Sequence, residues 1–181
     1  MDTSFLEELS FVSLSEDYNL DLFESADSDL TEFLKEDTFF SQNERLSATK
    51  LVCWNSKVVG FFTLVNDCIQ AERIDVRDGH VDYSYSKYPA LKIVRLSTHK
   101  AFERRGIGRH MLDEIMAISI LLSEQSGCRL ITVDSKKDST AFYEKYDFKV
   151  AKGKIDDTVP MYIDFHRLIE EGCGNGIGSN V

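Results

Sequence analysis

Apolar positions along this chain follow two periods. Continuous β-branched runs mark strands, and recurrence every three to four residues marks helices. Leu9–Leu14 reads as a short strand. Ser25–Asp29 offers helix caps, with Asp29 and Glu32 in capping-box spacing, and Leu30, Phe33 and Leu34 then form a helical stripe. Ala48–Trp54 and Val58–Val65 are two β-branched runs joined at Asn55-Ser56, which predicts a tight hairpin. Residues 67–86 are polar, without a clear period, and read partly as loop. Leu91–Thr98, "LKIVRLST", is a strand by composition. From about Gly106 to Glu124 the stripe Ile107, Met111, Ile115, Ile118 and Leu122 predicts a long helix, with Gly127 suited to its C-cap. Arg129–Val133 predicts a further strand, Thr140–Tyr146 a short helix, and Phe148–Ala151 and Val159–Phe165 two closing strands.

No internal repeat and no linker interrupts this order. The length of 181 residues fits one domain over 1–168, followed by a flexible tail over 169–181 that ends "EEGCGNGIGSNV". There is no run of 18 apolar residues, so no membrane span is expected. The start, "MDTSFLEELS", is acidic and carries no basic leader. Cys53, Cys68, Cys128 and Cys173 lack metal-ligand spacing and read as free thiols, and His80, His110 and His166 do not cluster, so no metal is expected. These features point to a cytoplasmic chain.

Charge changes the picture. Residues 1–44 carry thirteen acids against the single base Lys35. Residues 87–110 carry seven bases (Lys87, Lys92, Arg95, Lys100, Arg104, Arg105, Arg109) and one acid, Glu103. A charge run is ordinarily a solvated face. This one coincides with a Gly-Ile-Gly at the mouth of the long helix, in the order strand, short loop, Arg104-Arg105-Gly106-Ile107-Gly108-Arg109. Helix starts present unpaired N–H groups and a positive dipole end, and glycines admit close approach, so the sequence predicts an anion site for phosphate or pyrophosphate. A dinucleotide fingerprint would need a third glycine where Met111 stands, and a P-loop would need Gly-Lys-Ser/Thr.

A second motif lies further along the chain: Phe142-Tyr143-Glu144-Lys145-Tyr146-Asp147-Phe148. With Glu103-Arg104-Arg105-Gly106-Ile107-Gly108 before it, the chain resembles the GNAT acetyltransferases over roughly residues 46–165. Their pattern is Gln/Arg-x-x-Gly-x-Gly/Ala opening a helix, then a helix carrying Phe-Tyr-x-x-x-Gly-Phe. Two positions depart: Glu103 replaces Gln/Arg, which leaves phosphate binding to backbone N–H groups, and Asp147 replaces the turn glycine, where aspartate tolerates the left-handed region.

The resemblance implies an α/β (α+β) fold, a mixed and mostly antiparallel central sheet flanked by helices. It implies acetyl-coenzyme A as donor, its pyrophosphate on Arg104, Arg105, Gly106, Ile107, Gly108 and Arg109, and its pantetheine paired with Leu96, Ser97 and Thr98 like an added strand. An amine would attack the thioester directly, backbone N–H near Leu96–Ser97 would meet the oxyanion, and Tyr143 would be the general acid, with Tyr146 one turn on as packing. No general base is legible; His99 and Glu103 lie close in sequence to the turn. The front segment and the central stretch resemble the subgroup that contains toxin–antitoxin acetyltransferases, which act on aminoacyl-tRNA. A tRNA binder spreads Lys and Arg widely, whereas this chain is acidic outside 87–110. Charge therefore favours an amine-bearing small molecule or protein/peptide as acceptor, with nucleic acid not expected and a tRNA-acetylating toxin as the runner-up. A non-catalytic acyl-coenzyme A binding module is a third class on the same fold, and a homodimer is compatible with any of them.

Overall fold

The structure is a computed structural model that describes residues 3–80 and 82–174. Seven strands, β1 (Ser10–Ser13), β2 (Ala48–Trp54), β3 (Lys57–Gln70), β4 (Lys87–Thr98), β5 (Leu130–Lys136), β6 (Lys149–Val150) and β7 (Thr158–Asp164), form a sheet in the order β1-β2-β3-β4-β5-β7-β6. It is mostly antiparallel. The helices are α1 (Thr3–Glu7), α2 (Ser28–Glu32), α3 (Thr38–Asn43), α4 (Ile107–Ser126), α5 (Thr140–Glu144) and α6 (Phe165–Gly174). The chain divides into two compact units that interleave in sequence: Met1–Val65 with Ile93–Ile115, and Asn66–Lys92 with Met116–Val181.

The first unit is built on the β2–β3 hairpin. Asn55 and Ser56 both take left-handed backbone, φ 48° and 62°, the geometry whose twist matches a two-residue hairpin. Register runs from Ala48 opposite Leu64 to Trp54 opposite Lys57, with an irregularity at Val52/Cys53. Thr49 faces Thr63, and their buried hydroxyls lie 2.8 Å apart. Leu14, Leu20, Phe23, Leu34, Leu51, Cys53, Val58 and Phe61 form one core. Asp27, not Asp29, caps α2: its backbone is extended and its carboxylate accepts the Asp29 N–H at 3.1 Å. The cap thus stands two residues before the expected one and the capping box does not form: Asp29 already sits in the first helical turn, where an acid favours the dipole, and the third helical position after Asp27 is Leu30. A π-helical turn, Phe33–Asp37, joins α2 to α3.

Ile107, Met111 and Ile115 of α4 are buried in this unit. In the second unit the helix buries Ser119, while Ile118 and Leu122 are half-buried. Apart from Leu112, the buried line Ile107, Met111, Ile115 and Ser119 advances by four residues, so the last two positions of the expected stripe fall to its flank.

The second unit pairs β5 with β7 from Leu130 opposite Asp164 to Lys136 opposite Thr158. The two-residue β6 adds Lys149 opposite Tyr162 and Val150 opposite Met161. Ile69, Ile74, Tyr88, Ala90, Leu130, Ala151 and Tyr162 form its core. The segment left open by the sequence resolves into the end of β3, a 3₁₀ turn at Ala71–Arg73 and irregular chain up to β4. Helix α6 carries the chain through Gly174, into the stretch expected to be tail; residues 175–181 lie outside the described residues.

Candidate active site

Strand β4 delivers the chain to the glycine pair. Leu96 and Thr98 are half-buried, Ser97 is buried, and the Ser97 hydroxyl donates to the Ser25 hydroxyl at 2.8 Å. Beyond Thr98 the His99 N–H donates to the Val59 carbonyl, and a 3₁₀ turn spans Lys100–Phe102. Arg104 and Gly106 then take left-handed backbone, φ 60° and 93°. The first backbone bond into α4 runs from His110 N–H to Gly106 C=O at 3.2 Å. The N–H groups of residues 107–109 therefore precede the helical ladder, as the first N–H groups of any helix do. Leu96 through Arg109 all belong to the first unit, so the structure gathers these expected positions.

Glycine at 60 lets this assembly close. A Cβ there would stand 3.1 Å from the Ser97 carbonyl oxygen, 3.3 Å from Ile107 and 3.4 Å from Met111. The strand end and the helix start thus share one tight support.

The three arginines differ in what they already do. The Arg105 guanidinium lies over the Phe5 ring at 4.0 Å and near Phe102 at 5.6 Å. Arg109 forms an exposed i,i+4 pair with Asp113 at 3.8 Å, a contact weak enough to yield to phosphate. Arg104 is exposed, and no ion pair among the described residues holds it. An exposed cation, a doubly left-handed turn and the first N–H groups of a 20-residue helix fit a pyrophosphate.

His99 is fully engaged. Its Nδ1 accepts the Ala101 N–H at 3.1 Å, so Nε2 carries the hydrogen and donates to the Leu22 carbonyl at 3.2 Å. The ring also packs edge-on against Phe23 and Phe102. It pins the turn and has no proton-accepting nitrogen to spare. Glu103 is exposed.

Tyr143 belongs to the second unit, on α5. It is 6% exposed, and burial pushes its phenol well above the usual value, so it holds its proton. The geometry around it explains the motif. Phe148 N–H donates to the Tyr143 carbonyl at 3.2 Å and Asp147 N–H to the Glu144 carbonyl at 3.1 Å. Asp147 has φ 64°, and the Tyr143 and Phe148 rings meet edge-on at 5.4 Å. This is a Schellman cap with its hydrophobic contact, and Asp147 fills the place that usually calls for glycine. Tyr146 packs edge-on against Phe142, at 5.2 Å. The sequence did not single out Asp78, whose buried carboxylate binds the residue after Phe148; a lone acid in an aperiodic stretch gives no signal.

Among the described residues, no group of three His, Cys, Asp or Glu could hold a metal ion, and no helix is long and apolar enough to cross a membrane. Residues 48–150 match the family model described as acetyltransferase (GNAT) domain. A tRNA-acetylating toxin of Mycobacterium tuberculosis is 24% identical over 132 residues, 71% of this chain and 77% of that protein. AtaT complexed with acetyl-methionyl-tRNAfMet superposes with a TM-score of 0.83 at 17% identity, over 91% of this chain and 99% of the other. AtaTR bound with AcCoA does so at 0.76 and 17%, over 92% and 99%. The family model takes in the glycine turn, α4 and the Tyr143 cap alike, and on that match the chain belongs to the GNAT acetyltransferases.

Proposed function

We propose that this acetyl-CoA-dependent N-acetyltransferase acts on the α-amino group of an aminoacyl-tRNA, with the turn at Arg104–Arg109 holding the coenzyme A pyrophosphate and Tyr143 serving as general acid. The observation that supports this acceptor is the likeness to AtaT complexed with acetyl-methionyl-tRNAfMet across nearly the whole length of both chains, with a tRNA-acetylating toxin as a second relative. The charge argument against nucleic acid is weakened by these relatives.

In this reading the neutral amine attacks the thioester carbon. N–H groups at Leu96–Ser97 stabilise the oxyanion, and the Tyr143 hydroxyl donates to sulfur as the carbon–sulfur bond breaks. The new ammonium loses its proton to water, and water returns a proton to the Tyr143 oxygen, so that the net change moves one proton from nitrogen to sulfur and leaves the phenol restored. A phenol whose ionisation burial disfavours suits hydrogen-bond donation to the departing sulfur better than proton abstraction.

A second reading keeps a small cationic amine or peptide amine as acceptor. It is favoured by an open groove in the first unit, about 470 Å³, lined by Glu16, Asp17, Asp21 and Lys35 among others. One experiment separates them: acetyl transfer to a mixed aminoacyl-tRNA pool and to small amines, at low and moderate salt. Aminoacyl-tRNA acetylation with affinity falling at a log–log slope of about −0.7 to −0.9 per phosphate contact supports the first reading. Salt-insensitive transfer to small amines alone supports the second.

A further inference from the structure

Tyr143 sits on a weakly self-supporting piece of chain. Helix α5 has five residues and no side-chain cap at its start, and β6 pairs through only two residues. Neither length holds itself in place. The chain beyond the Schellman cap is held from elsewhere in the second unit. Asp78, whose side chain is 1% exposed, receives the Lys149 ammonium on both carboxylate oxygens at 2.8 Å. The same carboxylate accepts the Tyr162 hydroxyl at 2.7 Å and Arg167 at 3.2 Å. Three residues on, Lys152 N–H donates to the Arg73 carbonyl at 2.7 Å, and Arg73 Nε donates back to the Lys152 carbonyl at 3.0 Å.

The Asp78 end of this clamp is itself fixed. The Asp75 N–H donates to Tyr162 Oη at 2.7 Å, and the Gly79 N–H donates to Asp164 at 2.8 Å. Asp164 also receives Arg129 at 3.0 Å. Gly79 takes φ 77°, and a Cβ there would meet the Tyr88 hydroxyl at 2.6 Å. The irregular segment 71–80 is therefore rigidly bonded to β7 and α6 and grips the chain leaving Tyr143 at two points.

Resting on the reading of Tyr143 as general acid, we infer that Asp78 and Lys149 are positioning residues for Tyr143, the ion pair fixing β6 and, through the Phe148–Tyr143 cap, the place of the phenol. Removing the ammonium leaves Asp78 with Tyr162 and Arg167, so the fold is retained while β6 loses its anchor. A displacement of the phenol by a fraction of an ångström to an ångström costs turnover, roughly ten- to hundredfold.

The test is a double-mutant cycle on the whole chain. Lys149→Met and Tyr143→Phe are made singly and together, with Lys149→Arg as the conservative variant, and kcat, acetyl-coenzyme A affinity and melting temperature are read for each. The inference expects Lys149→Met to lower kcat with unchanged acetyl-coenzyme A affinity and Lys149→Arg to recover most of the loss. In the Tyr143→Phe background, Lys149→Met should cost little more. An equal Lys149→Met loss in both backgrounds means general damage and overturns the inference, as does an unchanged kcat in folded Lys149→Met. Full turnover in Tyr143→Phe alone would instead remove the general-acid reading, and the inference with it.

Discussion

The Arg105 guanidinium carbon lies 4.0 Å from the centre of the Phe5 ring, which ties the glycine turn to α1 through an aromatic group that also includes Trp54 and Phe102. One of the three arginines expected on phosphate is therefore occupied by its own protein. Arg105→Ala should cost about 0.5–2 kcal/mol of stability, the range for such contacts, and change acetyl-coenzyme A affinity less than about threefold. Arg104→Ala should weaken acetyl-coenzyme A about tenfold, the loss of one charge-assisted contact, without lowering the melting temperature. Calorimetric titration and thermal melts of both variants check this. The reverse order would mean that Arg105 leaves Phe5 when the ligand binds.

Gly60 packs against the strand end and the helix start, and Gly108 lies in the first turn of that helix. Gly60→Ala places a methyl 3.1 Å from the Ser97 carbonyl oxygen, which should destabilise by about 1–3 kcal/mol and weaken acetyl-coenzyme A by shifting the strand end. Gly108→Glu should abolish thermal stabilisation by acetyl-coenzyme A while leaving the fold intact. A folded Gly108→Glu protein that still gains stability from the ligand would move the pyrophosphate away from this turn.

Tyr143→Phe should lower turnover by roughly 10²–10⁴-fold, the usual contribution of a general acid. Acetyl-coenzyme A affinity should barely change. Because the phenol is raised above its ordinary value, no loss of activity from its ionisation should appear as pH climbs to about 9, below the ordinary phenol value. A rate profile measured with a chemistry-limited acceptor reads both effects.

Local signals carried much of this molecule. The Asn55-Ser56 hairpin was legible because two residues must adopt left-handed backbone, and the glycine turn because a helix start and clustered cations coincide. The Tyr143 motif was visible as a string, but its meaning as a Schellman cap needed the two backbone bonds to Tyr143 and Glu144. The role of His99 was not legible, since Leu22, which takes its Nε2–H, lies 77 residues away in sequence. Segment 71–80 was opaque for the same reason: Asp78 meets Lys149 across 71 residues, and such pairing leaves no period. Helix α6 was missed because its second half is glycine- and acid-rich, the composition of a tail.

Asp147 sits at φ 64°, where only glycine and short polar residues rest easily. Asp147→Val should cost about 1–3 kcal/mol and lower turnover, because a β-branched residue cannot hold the cap beside Tyr143. Asp147→Gly should keep both. Melting temperatures and initial rates of the pair test it, and equal behaviour of the two variants would show that the cap is dispensable.

Asp78 links stability to acid pH. Burial alone would raise its carboxyl, but hydrogen bonds from Lys149 and Tyr162 outweigh that and hold it below its ordinary value of 3.8. A group lowered in the folded state contributes stability that is fully present above the unfolded value and lost as pH falls through the folded one. Melting temperature should therefore drop as pH falls below 3.8, and Asp78→Asn should be less stable at neutral pH yet flatter across that acid range. A parallel acid profile in the two proteins would assign the acid loss to other carboxylates.

The buried Thr49–Thr63 hydroxyl pair has a consequence for misassembly. A β-hairpin whose strands are apolar on most positions could slide by one residue at modest cost, and each slip turns every side chain to the opposite face. Here a one-residue slip of β2 would turn Thr49 away from Thr63, leave the Thr63 hydroxyl without its partner in the interior, and swing Lys50, paired with Glu114 at 3.1 Å, to the face that Thr49 leaves. A mispaired hairpin would thus carry an unpartnered buried hydroxyl and a misplaced ammonium, and these two penalties favour its unzipping over its persistence as a sticky edge.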